Sequence, residues 1–396
     1  MSLRRDLERA AREREDPAAR ERSWRVVRGA FASLEPRPRR RPWRALLTAV
    51  LLAVVGAAGV AAASAPRSDV GRLVRDVLGV GEPRARPALV RVPGGGRLLV
   101  AAGDGAWIVA PDGAKRRLGA YTGASWSPRG KFAVAWRGRE LTAVDPVGRV
   151  RWSLSHERGV GDARWAPGDG FLVAYRAGDA LRIVGGNGVG DHHLAAVRRG
   201  VAPAWRPDGT HTLAYADARG RVTVVDADTG ARRWRGQPLR GVRELLWSPR
   251  GERLLALSDR RLTLYGAGGT KLTSRSLPAG SRAEHAAWAP RGAHGARVAL
   301  VRSDARVNRS EVVLLDAEGL RGRTLFRRLG RFGVPAWSPS GRWLLLPWPD
   351  ADQWLFLRPQ ARAGGVGRTA VANIARQFAP GADGGAFPRS AQWCCP

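Results

Sequence analysis

Cysteine is nearly missing from this chain: two residues in 396, side by side at Cys394 and Cys395. Neither a disulfide framework nor a four-ligand zinc site can hold such a protein together. Lysine is almost as scarce, standing only at Lys115, Lys131 and Lys271 among 67 basic residues, so the positive charge is arginine. Acidic residues number 34 and leave a formal net charge of +33. That imbalance bears on partners and solubility, not on fold. No Gly-x-Ser-x-Gly nucleophile elbow occurs. The stretch Gly266-Ala-Gly-Gly-Thr-Lys271 lacks the spacing of a phosphate-binding loop and reads as a hairpin tip. Of six histidines only His192 and His193 are neighbours, and adjacent side chains on a strand face opposite ways, so they do not share a metal. No catalytic, cofactor or metal constellation is read, and the chain is predicted to be a non-enzyme without a cofactor.

Apolar residues make up 44% of the chain, with 16 tryptophans, enough for a packed interior. The 50 glycines and 26 prolines are scattered, as in an all-β chain of many short strands. A GC-rich bacterial genome also enriches Arg, Ala and Gly, which gives the charge a second reading at the level of codons.

Residues 45–65 carry no charge, and at about 1.5 Å per residue they are long enough to span a ~30 Å hydrocarbon layer. Arg37, Arg39, Arg40, Arg41 and Arg44 precede them; Arg67, Arg72 and Arg75 follow, offset by Asp69 and Asp76. The positive-inside bias places the N-terminus in the cytoplasm and the remainder outside the cell membrane. Ala63-Ser64-Ala65 resembles a signal-peptide cleavage site, but a long polar lead and Pro66 just after the cut favour a retained single-pass signal anchor. The predicted organisation is a cytoplasmic Arg-rich helical segment over 1–43, a transmembrane helix over 44–65, a linker over 66–86 and an extracytoplasmic domain over 87–396. Within the first segment Trp24, Val27, Phe31 and Leu34 share one helical face, suited to an anionic inner leaflet or to a cytoplasmic partner.

Beyond the linker one sentence repeats. It reads Trp126-Ser-Pro-Arg-Gly130, Trp205-Arg-Pro-Asp-Gly209, Trp247-Ser-Pro-Arg-Gly251, Trp288-Ala-Pro-Arg-Gly292 and Trp337-Ser-Pro-Ser-Gly341, with one extra residue in Trp165-Ala-Pro-Gly-Asp-Gly170. Successive tryptophans lie 39, 40, 42, 41 and 49 residues apart. A degenerate first copy, Arg91-Val-Pro-Gly-Gly95, lacks the tryptophan. Ser, Pro and Gly at the first, second and fourth positions suit a type I turn closed by glycine at positive φ, so each copy reads as strand, turn, strand. The short apolar runs that follow (Phe132–Trp136, Phe171–Tyr175, Leu254–Leu257, Val298–Val301, Trp343–Leu346) predict strands buried on both faces. A second turn follows at Asp112-Gly113, Asp145-Pro-Val-Gly148, Asp226-Ala-Asp-Thr-Gly230 and Asp316-Ala-Glu-Gly319. Two hairpins per copy make a four-stranded antiparallel sheet, and stacked radially such sheets form a β-propeller. Seven copies predict seven blades, with six or eight as alternatives.

The Trp-Ser-Pro-x-Gly hairpins resemble the WD-like repeats of TolB-type propellers, with Trp126, Trp165, Trp205, Trp247, Trp288 and Trp337 at the aromatic position before the turn. The sequence departs from that pattern in keeping the turn aspartate only at Asp208 and Asp169 and in lacking the Trp-Asp dipeptide. Ala143-Val-Asp-Pro-Val-Gly-Arg-Val-Arg-Trp152 and Val225-Asp-Ala-Asp-Thr-Gly-Ala-Arg-Arg-Trp234 are similar to the strand-turn-strand of quinoprotein-type propellers. The final Ser390-Ala-Gln-Trp393-Cys-Cys-Pro396 looks like the strand leading into a repeat, so Trp393 is predicted to complete the first blade and lock the ring. Cys394 and Cys395 could form a vicinal disulfide, pair with another chain or stay reduced. Trp107, Trp136, Trp343, Trp348 and Trp354 are expected to pack in the core.

The implied function is a non-catalytic binding or scaffold module outside the membrane, taking a protein or an anionic envelope polymer through its loops. The alternative is an envelope sensor that signals through residues 1–43 to a regulator, an anti-sigma-like role; a cofactor-dependent propeller enzyme is more remote. Residues 1–44 carry a net +7 and 66–86 a net +2, leaving +24 on 87–396. That topology removes nucleic acid as a partner and predicts salt-sensitive binding to external polyanions.

Overall fold

The computed structural model describes residues 85–396, apart from 104, 169–170, 291–296, 360–365, 380–384 and 396. The predicted cytoplasmic segment 1–43, the predicted anchor 44–65 and nearly all of the linker lie outside the described residues. Among the described residues no helix is long and apolar enough to cross a membrane.

Seven four-stranded antiparallel sheets make up the described chain, which decides between the predicted seven blades and the alternatives of six or eight. Six blades are continuous in sequence: 123–155 (blade 2), 160–196 (blade 3), 204–238 (blade 4), 242–276 (blade 5), 281–329 (blade 6) and 336–372 (blade 7). Blade 1 takes Arg97–Ala102, Gly105–Val109 and Lys115–Gly119 from the start of the ring and Ser390–Cys394 from its end. The first strand of each blade touches the first strand of the next, closing a ring of seven inner strands around a channel. The last strand of each blade is the outer edge.

The repeat forms the first hairpin. In blade 2 the Gly130 amide donates to the Ser127 carbonyl at 2.9 Å, and Gly130 has φ of 61°. The Ser127 hydroxyl accepts the Phe132 amide at 3.0 Å. Ser248 and Ser338 repeat both bonds with Gly251 and Arg253 and with Gly341 and Trp343. The hydroxyl bond is what selects serine, since the carbonyl bond is open to any residue. Three of the following strands begin one residue later than the apolar runs suggested, at Ala133, Leu172 and Leu344, where the run's first residue closes the turn; the other two begin one residue earlier, at Arg253 and Arg297. Phe171, read as strand, is instead 75% exposed at the turn.

Second strands such as Leu98–Ala102, Thr212–Ala216 and Leu254–Ser258 are buried at every position. Each has a neighbouring blade on both faces, so alternation between polar and apolar residues disappears. Seven apolar clusters result, one at each interface between blades.

The C-terminal strand closes the ring. Trp393 pairs with Leu98 and Ala391 with Val100 in antiparallel register. The degenerate first copy thus receives its missing tryptophan from the other end of the chain. At the entry, Arg86 pairs with Val371 on the outer strand of blade 7. A single helical turn, Ile374–Gln377, buries Ile374 next to that edge.

Candidate functional site

Each repeat tryptophan ends an inner strand and enters one interface: Trp126 between blades 1 and 2, Trp165 between 2 and 3, Trp205 between 3 and 4, Trp247 between 4 and 5, Trp288 between 5 and 6, Trp337 between 6 and 7, and Trp393 between 7 and 1. Four indoles continue as a circumferential ladder. Trp205 Nε1 donates to the Arg164 carbonyl at 2.9 Å, Trp247 to Ala204 at 3.1 Å, Trp288 to Leu246 at 3.0 Å and Trp337 to Ala287 at 3.1 Å. Every acceptor is the residue just before the tryptophan of the preceding blade.

The ladder is missing on both sides of blade 1, where the ring closes, and between blades 2 and 3. Trp126 and Trp165 bury Nε1 without a hydrogen-bond partner, and Trp393 donates to the Gly95 carbonyl of its own blade. Gln392 bridges the seam instead: its Oε1 accepts the Trp126 amide at 3.2 Å and its Nε2 donates to the Ala124 carbonyl at 3.1 Å. Gln392 escapes sequence reasoning; its only signal is its place before Trp393.

The second repeated pattern also has a packing role. Trp152 and Trp234 lie on outer strands and donate to the Gly186 and Ala267 carbonyls, in the last turn of the following blade. A side chain at Gly188 or Gly269 would run into those indoles, at 2.8 and 2.7 Å, so the turns accept only glycine there. Trp107 and Trp354 are buried against Phe378, while Trp348 donates to the Leu329 carbonyl. His192 and His193 sit on the exposed outer strand of blade 3, and Gly266–Lys271 is the last turn of blade 5.

Because every blade starts in the same sense, all repeat turns open at one channel mouth and all loops joining consecutive blades open at the other. The repeat-turn mouth holds a cavity of about 760 Å³ lined by Pro128, Pro290, Pro339, Ala287 and Ala336. Cys394 and Cys395 stand on its lip with their sulfurs joined. A Cβ on Gly130 would meet the two sulfurs at 3.0 and 2.7 Å, so the turn glycine also makes room for the cysteine pair.

Inside the channel the inner strands carry charge. Glu244 Oε1 lies 2.7 Å from His285 Nδ1, and its Oε2 accepts the Ala286 amide at 2.9 Å. Burial lowers the affinity of Arg164 for its proton, and Asp162 and Glu244 oppose that shift. Arg176 holds Asp162, whose φ of 55° sits at a bulge in the inner strand of blade 3.

The blade-linking mouth holds the larger cavity, about 960 Å³, over blades 5, 6 and 7 and the entry to the closing strand. Six arginines and three carboxylates line it, beside Phe332, Phe387, Pro349 and Pro388. Burial pushes the Asp259 carboxyl up, but hydrogen bonds from Arg282 and Arg243 outweigh it and hold it below the usual carboxylate range. This cavity falls in the size range of ligand pockets. Among the described residues no group of three His, Cys, Asp or Glu side chains is placed to hold a metal.

No family model matches the chain, and no curated protein matches it. Solved propellers share its fold. A chain of the Mitotic Checkpoint Complex crystal structure is similar at 17% identity and a TM-score of 0.52, over 68% of this chain and 94% of that one. The β-propeller domain of Myceliophteria thermophila Cps50 (Swd1) is similar at 18% identity and 0.53, over 68% and 96%. Kluyvelomyces marxianus Hsv2 is similar at 9% identity and 0.51, over 69% and 93%. Identities this low establish the architecture and leave the ligand to the site.

Proposed function

We propose that this chain is a single-pass membrane-anchored binding module that displays its propeller outside the cell membrane and engages a protein partner through the blade-linking loops. One observation carries the reading. The ring uses its apolar surface and repeat tryptophans internally, and brings six arginines to the rim of a cavity of about 960 Å³ at one mouth. One solved neighbour is by its title part of a larger assembly, the Mitotic Checkpoint Complex, and supports the same use of the fold. Residues 45–65 supply the anchor, and the arginines before them its orientation.

A photo-crosslinking amino acid at Ala305, on the blade-linking mouth, tests this in intact cells against one at Ser276 on the outer edge of blade 5. A discrete crosslinked protein from Ala305 and none from Ser276 is expected. Crosslinks only from Ser276, or from neither, contradict it. The sensor reading rests on the helical face of Trp24, Val27, Phe31 and Leu34; a specific soluble protein retained by residues 1–43 would favour it, and retention by anionic vesicles alone would not.

A further inference from the structure

We infer that the blade-linking mouth is a binding site for an acidic peptide segment with aromatic or aliphatic side chains, held by Arg306 and Arg309 on one side and Phe387 on the other. This rests on the proposed binding function and names its ligand. The three carboxylates that line the cavity are all already engaged. Asp259 takes Arg243 at 3.1 Å and Arg282 at 2.9 Å. Glu284 takes Arg243 at 3.3 Å and the Ser303 hydroxyl at 2.6 Å. Asp304 accepts the Arg306 amide at 3.1 Å and caps the 3-10 turn Ala305–Val307.

The arginines are not matched in the same way. Arg260, Arg306 and Arg309 make no ion pair with any described residue, and Arg389 reaches only the Ala102 carbonyl at 3.4 Å. These guanidiniums come from blade 5, blade 6 and the closing strand, so the cationic surface exists only once the ring is shut. Arg306 and Arg309 flank one tight turn whose last residue, Asn308, is left-handed, which fixes both backbones. Planar guanidiniums held this way suit carboxylates, to which they donate two parallel hydrogen bonds.

The opposite wall selects among anions. Phe332 is buried, Phe387 partly so, and Pro349 and Pro388 extend the apolar surface. A phosphate polymer offers nothing to such a wall, whereas a peptide alternating acidic and apolar side chains satisfies both sides of the cavity.

The test is fluorescence anisotropy on the full chain in detergent. The probes are a labelled dodecapeptide alternating Glu with Phe and Leu, and inorganic polyphosphate of matched charge. The peptide is expected to bind, to weaken at least about tenfold in Arg306→Ala/Arg309→Ala, and to change less than about twofold in Arg250→Ala/Arg342→Ala at the other mouth. Phe387→Ala should weaken the peptide and leave polyphosphate unchanged. All four arginines are exposed, and unchanged melting temperatures confirm folding of the variants. Peptide binding that survives Arg306→Ala/Arg309→Ala overturns the site while leaving a binding function intact. Polyphosphate that outcompetes the peptide and ignores Phe387→Ala overturns the ligand class. Failure of both probes overturns the site, and the loss of any Ala305 crosslink in cells would then remove the binding function as well.

Discussion

Tryptophan at the end of an inner strand fills the gap between two blades and ties them together through its indole N–H. The two contributions separate by experiment, because Trp205 has an acceptor and Trp126 has none. Replacing either by phenylalanine removes similar volume, but only Trp205→Phe also removes a hydrogen bond, the one from the indole to the Arg164 carbonyl, at a cost of about 0.5–1.5 kcal/mol. Urea unfolding should therefore show Trp205→Phe as the more damaging change by that margin; equal losses would mean that the ladder adds nothing to packing. Carboxylates give a second handle at this scale. Burial pushes Asp191 up, but hydrogen bonds from Arg182 and Tyr175 hold it below its ordinary value of 3.8. Glu311 behaves alike relative to 4.5, with Arg302 and Arg327 prevailing over burial. Both carboxyls are depressed by folding, so their contribution is complete above those ordinary values and is lost as pH falls through the folded ones. Thermal melts should thus show a loss of stability confined to acid below about pH 4, smaller in Glu311→Gln than in the parent.

At the scale of the strand and blade, the C-terminal Ser390–Cys394 decides whether there is a ring. Removing residues 388–396 leaves blade 1 with three strands and a bared edge, and the shortened chain should aggregate on refolding, as unpaired edges do. Gln392→Ala keeps the strand and loses only the seam bridge, for about 1–3 kcal/mol. The double change Cys394→Ser/Cys395→Ser closes no loop of consequence and should cost less than the ~3 kcal/mol typical of a 15-residue loop. Urea midpoints for the three variants rank these effects, and intact mass with and without alkylation reports whether the cysteines are joined in cells. Much of this level is legible in the amino-acid order. Trp-x-Pro-x-Gly marks the first hairpin because the turn needs serine, proline and glycine at fixed places, and Trp393 marks the closing strand because the first copy lacks its tryptophan. The ladder, the Gln392 bridge and the arginine cavity are not legible there. Arg260, Arg306 and Arg389 meet only after three separate blades have stacked, and no local spacing records a contact between residues so far apart. Trp152 and Trp234 show the intermediate case: their motif is visible in sequence, but the turn each one clamps belongs to the next blade.

Over the whole molecule the positive charge has two distinguishable uses. Outer strands carry Arg116, Arg117, Arg232, Arg233, Arg275 and Arg323, and charge along an edge deters pairing with another sheet. Arg116→Val with Arg232→Val is expected to cause association visible by light scattering, without altering peptide binding at the blade-linking mouth. The arginines of that mouth are the ones proposed to meet a partner, and their interaction should weaken steeply with salt. The proposed binding role has the propeller held outside the membrane on residues 45–65, and protease accessibility in right-side-out and inverted membrane vesicles tests that display directly. The expected result is a chain that resists alkaline extraction and whose C-terminal tag, removed after a cleavage site at residue 80, is lost only from right-side-out vesicles. Release by alkali, or cleavage only in inverted vesicles, would contradict it.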